Sequence, residues 1–209
     1  MRRARASRVF AGLPPHAAGQ RIGLYGGSFN PAHEGHRHVS LLAVRRLGLD
    51  KIWWFVTPGN PLKDPKILPP LEVRMRKAAE IAAHPRIEIT GAEAAFRTRY
   101  TADLVDILKR RAPAARFVWV MGSDNLAQLN RWDRWRDIAR AVPIAIVNRP
   151  GFLLSGLNAR AAQALARYRI DESDALTLPY QGPPAWTFLT APRTSASSTA
   201  LRKQTAATS

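Results

Sequence analysis

Two histidines three residues apart, His33 and His36, are the side chains of this 209-residue chain whose type and spacing best suit chemistry on an anion. They close the run Gly26-Gly27-Ser28-Phe29-Asn30-Pro31-Ala32-His33-Glu34-Gly35-His36. Ahead of it, Ile22 to Tyr25 reads as a short buried strand, and Pro31 bars an immediate helix start. After Glu34 the apolar positions Val39, Leu41, Leu42, Val44 and Leu47 suit a helix closed by Gly48, so both histidines fall at its first turn. Residues three apart in a helical turn share a face, and the imidazoles therefore point where the free amides of the helix start point. Strand, glycine loop and helix start make a phosphate-binding geometry. The glycine pair is expected to adopt backbone angles closed to other residues and so bring main chain close to a ligand.

The run lacks the Gly-Lys-Ser/Thr ending of a P-loop and the full glycine pattern of a dinucleotide site, so an ordinary ATPase or dehydrogenase is not its natural reading. The alternatives for the histidines are a surface position or a metal pair. A third ligand is hard to find: there is no cysteine, and His16, His38 and His84 occupy no metal-binding spacing.

The first run matches the signature of the nucleotidyltransferase superfamily whose members carry His/Thr-x-Gly-His. A second signature stands near the end as Ala196-Ser197-Ser198-Thr199-Ala200-Leu201-Arg202. Within that superfamily the chain resembles the bacterial nicotinate-mononucleotide adenylyltransferases, and the resemblance spans roughly residues 21 to 203. It implies adenylyl transfer from ATP to nicotinate mononucleotide, with Mg²⁺ held by the ATP phosphates and water and no metal site on the protein. It also implies roles by position. His33 and His36 are the catalytic pair, and Gly26, Gly27, Ser28, Phe29, Lys63, Asp124, Ser197, Ser198, Thr199 and Arg202 address ATP. Asn60, Tyr100, Thr101, Trp132 and Arg149 address nicotinate mononucleotide. Without the resemblance, Ser197 to Thr199 and Asp124 serve equally as helix N-caps, and Trp132 as a core aromatic beside Trp119 and Trp135. The chain departs from the family at Arg99, where a serine precedes Tyr-Thr, at Leu62, where a histidine is usual, and at Ala196, where isoleucine is usual. Phosphopantetheine adenylyltransferases and cytidylyltransferases share the first loop, which therefore fixes the reaction more firmly than the acceptor.

Adenylyl transfer brings several negative charges together, and donors such as helix-start amides, two histidines, Lys63 and Arg202 offset their repulsion. A phosphate monoester is already largely dianionic at neutral pH, its second ionisation lying near pH ~6, so no general base is required.

These residues need elements to hold them. Lys51 to Thr57, Arg86 to Ile89, Phe117 to Met121, Ile144 to Val147 and Trp186 to Leu189 read as further short strands. Glu72 to Ala83, Thr101 to Arg111, Asn125 to Leu129, Trp132 to Arg140 and Leu157 to Arg167 carry helical spacing. The alternation predicts one α/β domain with a doubly wound, Rossmann-like parallel sheet, and ligands gathered at the strands' carboxyl ends. The loops at Gly26, Pro58, Gly122 and Asn148 each follow a strand, which points to one composite site. No catalytic role is assigned to residues 151–180.

Arginines at positions 2, 3, 5 and 8 mark residues 1–20 as a basic, disordered extension, with the domain running over 21–209. The apolar stretch behind them is too short for a secretory signal. No run approaches the ~20 apolar residues of a membrane span, and a cysteine-free chain suits a reducing cytoplasm. The net charge of +17 is dispersed over nearly every helix, without the aromatic interleaving of an RNA-binding sheet, so small anionic nucleotides rather than nucleic acid are the expected partners.

Overall fold

The run Lys51-Ile52-Trp53-Trp54-Phe55-Val56 is apolar on both alternating faces, which suits a strand covered on both sides, and it forms β3 (Lys51–Val56). The computed structural model describes residues 6–59, 68–148 and 158–190. Its other strands are β1 (Arg8–Phe10), β2 (Arg21–Gly27), β4 (Ile87–Thr90), β5 (Arg116–Gly122), β6 (Ile144–Val147) and β7 (Trp186–Leu189). All pair in parallel, in the order β1-β4-β3-β2-β5-β6-β7. From β2 the chain winds outward through β3 to β4, then returns to the other side of β2 and winds outward through β5, β6 and β7. The reversal leaves a crevice between the carboxyl ends of β2 and β5, where open parallel sheets bind ligands.

Helices cover both faces. α1 (Glu34–Arg46) and α2 (Leu71–Ala82) lie with Tyr25, Trp54, Val56, Val118 and Val120. On the opposite face α4 (Thr101–Arg111) and α6 (Trp135–Ala141) close over Ile22, Leu24, Trp53, Phe55 and Trp119. Short α3 (Ala92–Ala95), α5 (Ser123–Leu126) and α7 (Arg160–Ala164) complete the set. The expected helix over 125–129 is instead α5 followed by a 3-10 turn, Leu129–Arg131. Within the segment assigned no role, a 3-10 stretch, Glu172–Tyr180, buries Ala175 and Leu178 in the α1 face. Among the described residues no helix is long and apolar enough to cross a membrane.

The largest difference from the sequence expectation is at the beginning of the chain. Residues 6–20 are not a detached extension: β1 lies along β4, with Gly91 N–H donating to Phe10 O at 3.0 Å and Thr90 Oγ1 donating to Gly12 O at 2.6 Å. A charged knot fastens it. Glu88 of β4 is fully buried, ion-pairs with Arg8 and with Lys51 Nζ (2.9 Å), and accepts from Trp53 Nε1 at 3.1 Å. Buried charge persists only when paired and hydrogen-bonded, so this edge depends on all three partners.

Glu88→Ala strips the acceptor from Lys51, Arg8 and Trp53 together. It is expected to lower the unfolding free energy by about 2–3 kcal/mol in a urea titration. A change below about 0.5 kcal/mol, the size of an ordinary surface substitution, would refute this account of the edge.

Candidate active site

α1 begins in a reciprocal cap built from imidazoles. His33 is the N-cap, extended at φ −152° and ψ 167°, and its Nδ1 accepts from Gly35 N–H at 3.0 Å. His36 Nδ1 reaches back to accept from His33 N–H at 3.2 Å. Ser/Thr and Glu/Gln commonly fill these two positions. The consequence of using histidine is chemical. An amide aimed at Nδ1 leaves the hydrogen of a neutral ring on Nε2, so each ring carries its donor on the nitrogen that the cap does not use.

The rings are held by packing. His33 is buried, and its ring centroid lies 3.9 Å from that of His36. Phe29 stands 4.9 Å from His36 and stacks on Trp54 at 4.7 Å with 9° between planes. Trp54 Nε1 donates to Ser40 Oγ at 2.7 Å, and Ser40 Oγ donates to His36 O at 2.9 Å, tying β3 to the helix turn that carries His36. Phe29 takes a left-handed φ of 46°, a conformation costly for an aromatic residue and common at functional sites.

Gly26 and Gly27 end β2 without positive φ, so the expected reason for them is corrected: Phe29, not the glycine pair, takes the unusual backbone angle. What the glycines supply is space. A Cβ at Gly26 would meet Trp119 Cη2 at 3.1 Å, and one at Gly27 would meet the Phe29 ring at 3.3 Å. Ser28 follows, half-buried, with its carbonyl accepting from Arg74 Nη1 at 2.8 Å.

Across the crevice, β5 leads through Gly122 into α5. Gly122 is the N-cap of that helix, so Asp124 stands inside the first turn and is not the cap that its sequence position also allowed. On the α4 face, Tyr100 is the N-cap residue of α4, without a side-chain cap bond, and is 43% exposed; Thr101 opens the helix. Trp132 is half-buried, edge-on to Trp119 at 6.3 Å. Arg134 brings these parts together by ion-pairing with Asp103 and with Asp106 (3.5 Å) of α4. The structure thus places His33 and Phe29 on the α1 side of the sheet with His36 beside them, and Trp132 on the α4 side near the start of α4 at Tyr100 and Thr101, with Gly26 and Gly27 at the end of β2 and Asp124 in the first turn of α5. Asn60, Lys63, Arg149, Ser197, Ser198, Thr199 and Arg202 lie outside the described residues.

Several buried polar atoms have no hydrogen-bond partner among the described residues. Two of them, Thr57 Oγ1 after β3 and Asn148 Oδ1 after β6, sit at the carboxyl ends of the sheet, and Trp119 Nε1 is a third. Such groups are rare in folded proteins and call for a polar partner. Besides Glu88, two further buried charged residues escape a reading of the sequence. Arg74 of α2 is held by backbone carbonyls, and Glu93 of α3 is buried with no ion pair among the described residues. Burial pushes the Glu93 carboxyl up to about 8. No sequence signal marks either one, because a charged residue on a helix ordinarily faces solvent.

Known proteins share both the signature and the fold. A family model described as cytidylyltransferase-like matches residues 24–204. The chain belongs to that cytidylyltransferase-like family of nucleotidyltransferases. A relative from Methylorubrum extorquens (strain PA1), named probable nicotinate-nucleotide adenylyltransferase, is 56% identical over 182 residues, covering 87% of this chain and 98% of its own. Within the family, the chain belongs with the nicotinate-nucleotide adenylyltransferases. In fold it is similar to the Plasmodium falciparum nicotinic acid mononucleotide adenylyltransferase complexed with APC, with a TM-score of 0.58 at 20% identity over 88% of this chain and 83% of the other. The same enzyme complexed with NaAD gives a TM-score of 0.54 at 19% identity, with the same coverage.

Two measurements check the site. In ¹⁵N-detected spectra of the ligand-free protein, the rings of His33 and His36 are expected to show the Nε2–H tautomer at neutral pH; protonated Nδ1 on either ring would break the reciprocal cap. For Glu93, the folded chain keeps its proton up to about pH 8 while the unfolded side chain releases it near 4.5. Between those values the unfolded state binds fewer protons, so stability falls as pH rises. Glu93→Gln is expected to be more stable than wild type at pH 8, by on the order of a few kcal/mol, and nearly equal to it at pH 5, as read by urea unfolding.

Proposed function

We propose that this chain transfers the adenylyl group of ATP to nicotinate mononucleotide, forming nicotinate adenine dinucleotide and pyrophosphate. The observation that carries the reading is the imidazole cap at the start of α1, whose Nδ1 contacts leave the ring hydrogens to Nε2, in a chain 56% identical to a relative named for this activity. The family sets the substrates, and the geometry suggests how the chain handles them.

The reaction is one displacement. A 5′-phosphate oxygen of nicotinate mononucleotide bonds to the α-phosphorus of ATP while the bond from that phosphorus to the bridging oxygen breaks, its electrons leaving with pyrophosphate. No proton has to be removed from a dianionic phosphate. What the protein must do is hold like charges together and meet the charge that builds on the phosphoryl oxygens. That role is assigned to His33 and His36, whose cap bonds fix the rings in advance, so the Nε2–H donors need no reorganisation during the reaction. The amides of Gly35 and His33 are taken up by the cap itself, so the rings rather than the main chain carry the donors assigned to the phosphates.

The nicotinate end is assigned to the α4 side. Trp132 offers an aromatic face to the pyridine ring, and the start of α4 at Tyr100 and Thr101 offers amides to its carboxylate. An acid is preferred there over the neutral amide because charge-assisted hydrogen bonds from the amides favour a carboxylate. Asp124, between the two sides, is assigned to ribose hydroxyls. Among the described residues no three or more His, Asp or Glu side chains gather to hold a metal. Mg²⁺ is assigned, as the family likeness implies, to the ATP phosphates and water, where it screens their charge. Asn60, Lys63, Arg149, Ser197, Ser198, Thr199 and Arg202 keep the roles that the family likeness gives them.

The test is pyrophosphate release from Mg-ATP with nicotinate mononucleotide, nicotinamide mononucleotide or phosphopantetheine as acceptor. Turnover is expected with the nicotinate acceptor first, and His36→Ala is expected to lose on the order of a hundred- to a thousandfold in kcat. Inactivity with all three acceptors would reject the assignment.

A further inference from the structure

Arg74 is 3% exposed on the inner side of α2, and its guanidinium is bonded to main chain. Nε donates to Pro69 O at 2.9 Å; Nη1 donates to Ser28 O and Thr57 O, both at 2.8 Å; Nη2 reaches Pro58 O at 3.5 Å. These carbonyls come from three places: the approach to α2, the loop after β2 and the loop after β3. Between the two loops there is one further bond, Thr57 N–H donating to Gly27 O at 3.0 Å. A planar fork with five donors can hold such divergent acceptors, whereas an ammonium on a flexible stem cannot.

Ser28 is the residue before Phe29, so a fixed Ser28 carbonyl fixes the peptide plane that leads into the left-handed turn at Phe29. The Phe29 ring in turn packs against His36. A continuous path thus runs from α2 through one guanidinium and one peptide to a catalytic ring. Arg74 forms no ion pair among the described residues, so its charge is met by carbonyl dipoles. Loss of water around it lowers the guanidinium pKa from its ordinary value, an unfavourable burial that packing of α2 would not by itself call for.

We infer that Arg74 is a positioning residue for adenylyl transfer: by clamping the Ser28, Thr57 and Pro58 carbonyls, it sets the separation of the β2 and β3 loops and, through Phe29, the aim of His36. It touches neither substrate. The inference rests on the adenylyl-transfer reading for its kinetic consequence, and its structural consequence can be read without turnover.

The experiment compares wild type with Arg74→Lys and Arg74→Met in the full chain, assayed with Mg-ATP and nicotinate mononucleotide well below each variant's melting midpoint. Misplacement of reacting groups by about 1 Å costs on the order of a hundredfold, so kcat is expected to fall roughly 10- to 100-fold in Arg74→Lys and further in Arg74→Met. KM for nicotinate mononucleotide, whose pyridine end is assigned to the α4 side, is expected to change less than kcat, although the clamped Pro58 carbonyl lies two residues before Asn60. The ring ¹⁵N resonances of His36 in ligand-free Arg74→Lys are expected to move. A variant that melts earlier yet keeps wild-type kcat, KM and His36 resonances would make Arg74 a purely structural residue and overturn the inference. If Arg74→Met does not fold, the charge-keeping Arg74→Lys decides. If wild type itself shows no turnover, the adenylyl-transfer reading falls, and the His36 resonances alone judge the clamp.

Discussion

Strand β2 runs between β3 and β5, and the rest of the site is located by its last two residues, Gly26 and Gly27, which carry no side chain. On one face Trp119 fills the room that a Cβ at Gly26 would take; on the other, the Phe29 ring lies where a Cβ at Gly27 would press. Both aromatic rings then act as walls. Trp119 stands edge-on to Trp132 on the α4 side, and Phe29 stacks on Trp54 and meets His36 on the α1 side. Two absent side chains thereby bring two aromatic walls, one on each side of the sheet, to the end of the same strand.

Parallel pairing makes this possible. Because β3 and β5 both pair with β2 in the same direction, their carboxyl ends come out level with it, and the loops at Thr57 and Gly122 reach the same edge of the sheet. Packing energy follows from burial on both faces, which side chains at alternating positions such as Trp53 and Trp54 provide. The edge of the sheet needs a different solution, because Glu88 of β4 is buried there; Arg8, Lys51 and Trp53 supply it. The chain's beginning is therefore part of the fold.

Much of this was legible in the sequence. The apolar runs named the central strands, and the histidine spacing placed both rings at a helix start, because period and capping are local properties. The parts that were not legible are those fixed by distant partners. Arg8-Val9-Phe10 is too short and too close to arginines to read as a strand until Glu88 is seen opposite it. Arg74 reads as one more surface cation of α2 until carbonyls from two other loops are found around it. Asp124 reads as an N-cap two residues beyond the true one, Gly122, because a glycine can occupy that position without a side-chain bond. The glycine pair is evident in the sequence but its purpose is not: Gly26 makes room for Trp119, far away along the chain, and Gly27 for a Phe29 ring whose turn the sequence does not announce.

The imidazole cap of α1 makes helix integrity and phosphate recognition inseparable. In most helices the capping atom and the ligand-binding atom belong to different residues, and one can be exchanged while the other is kept. Here one nitrogen of each ring accepts from the backbone and the other is the one assigned to phosphate, so the two functions share a single rigid plane. Any agent that took an Nδ1 lone pair, such as a soft divalent cation, would release an amide and swing an Nε2–H away in the same event. Inhibition of this kind would act through the backbone, with the phosphate side of the ring never touched.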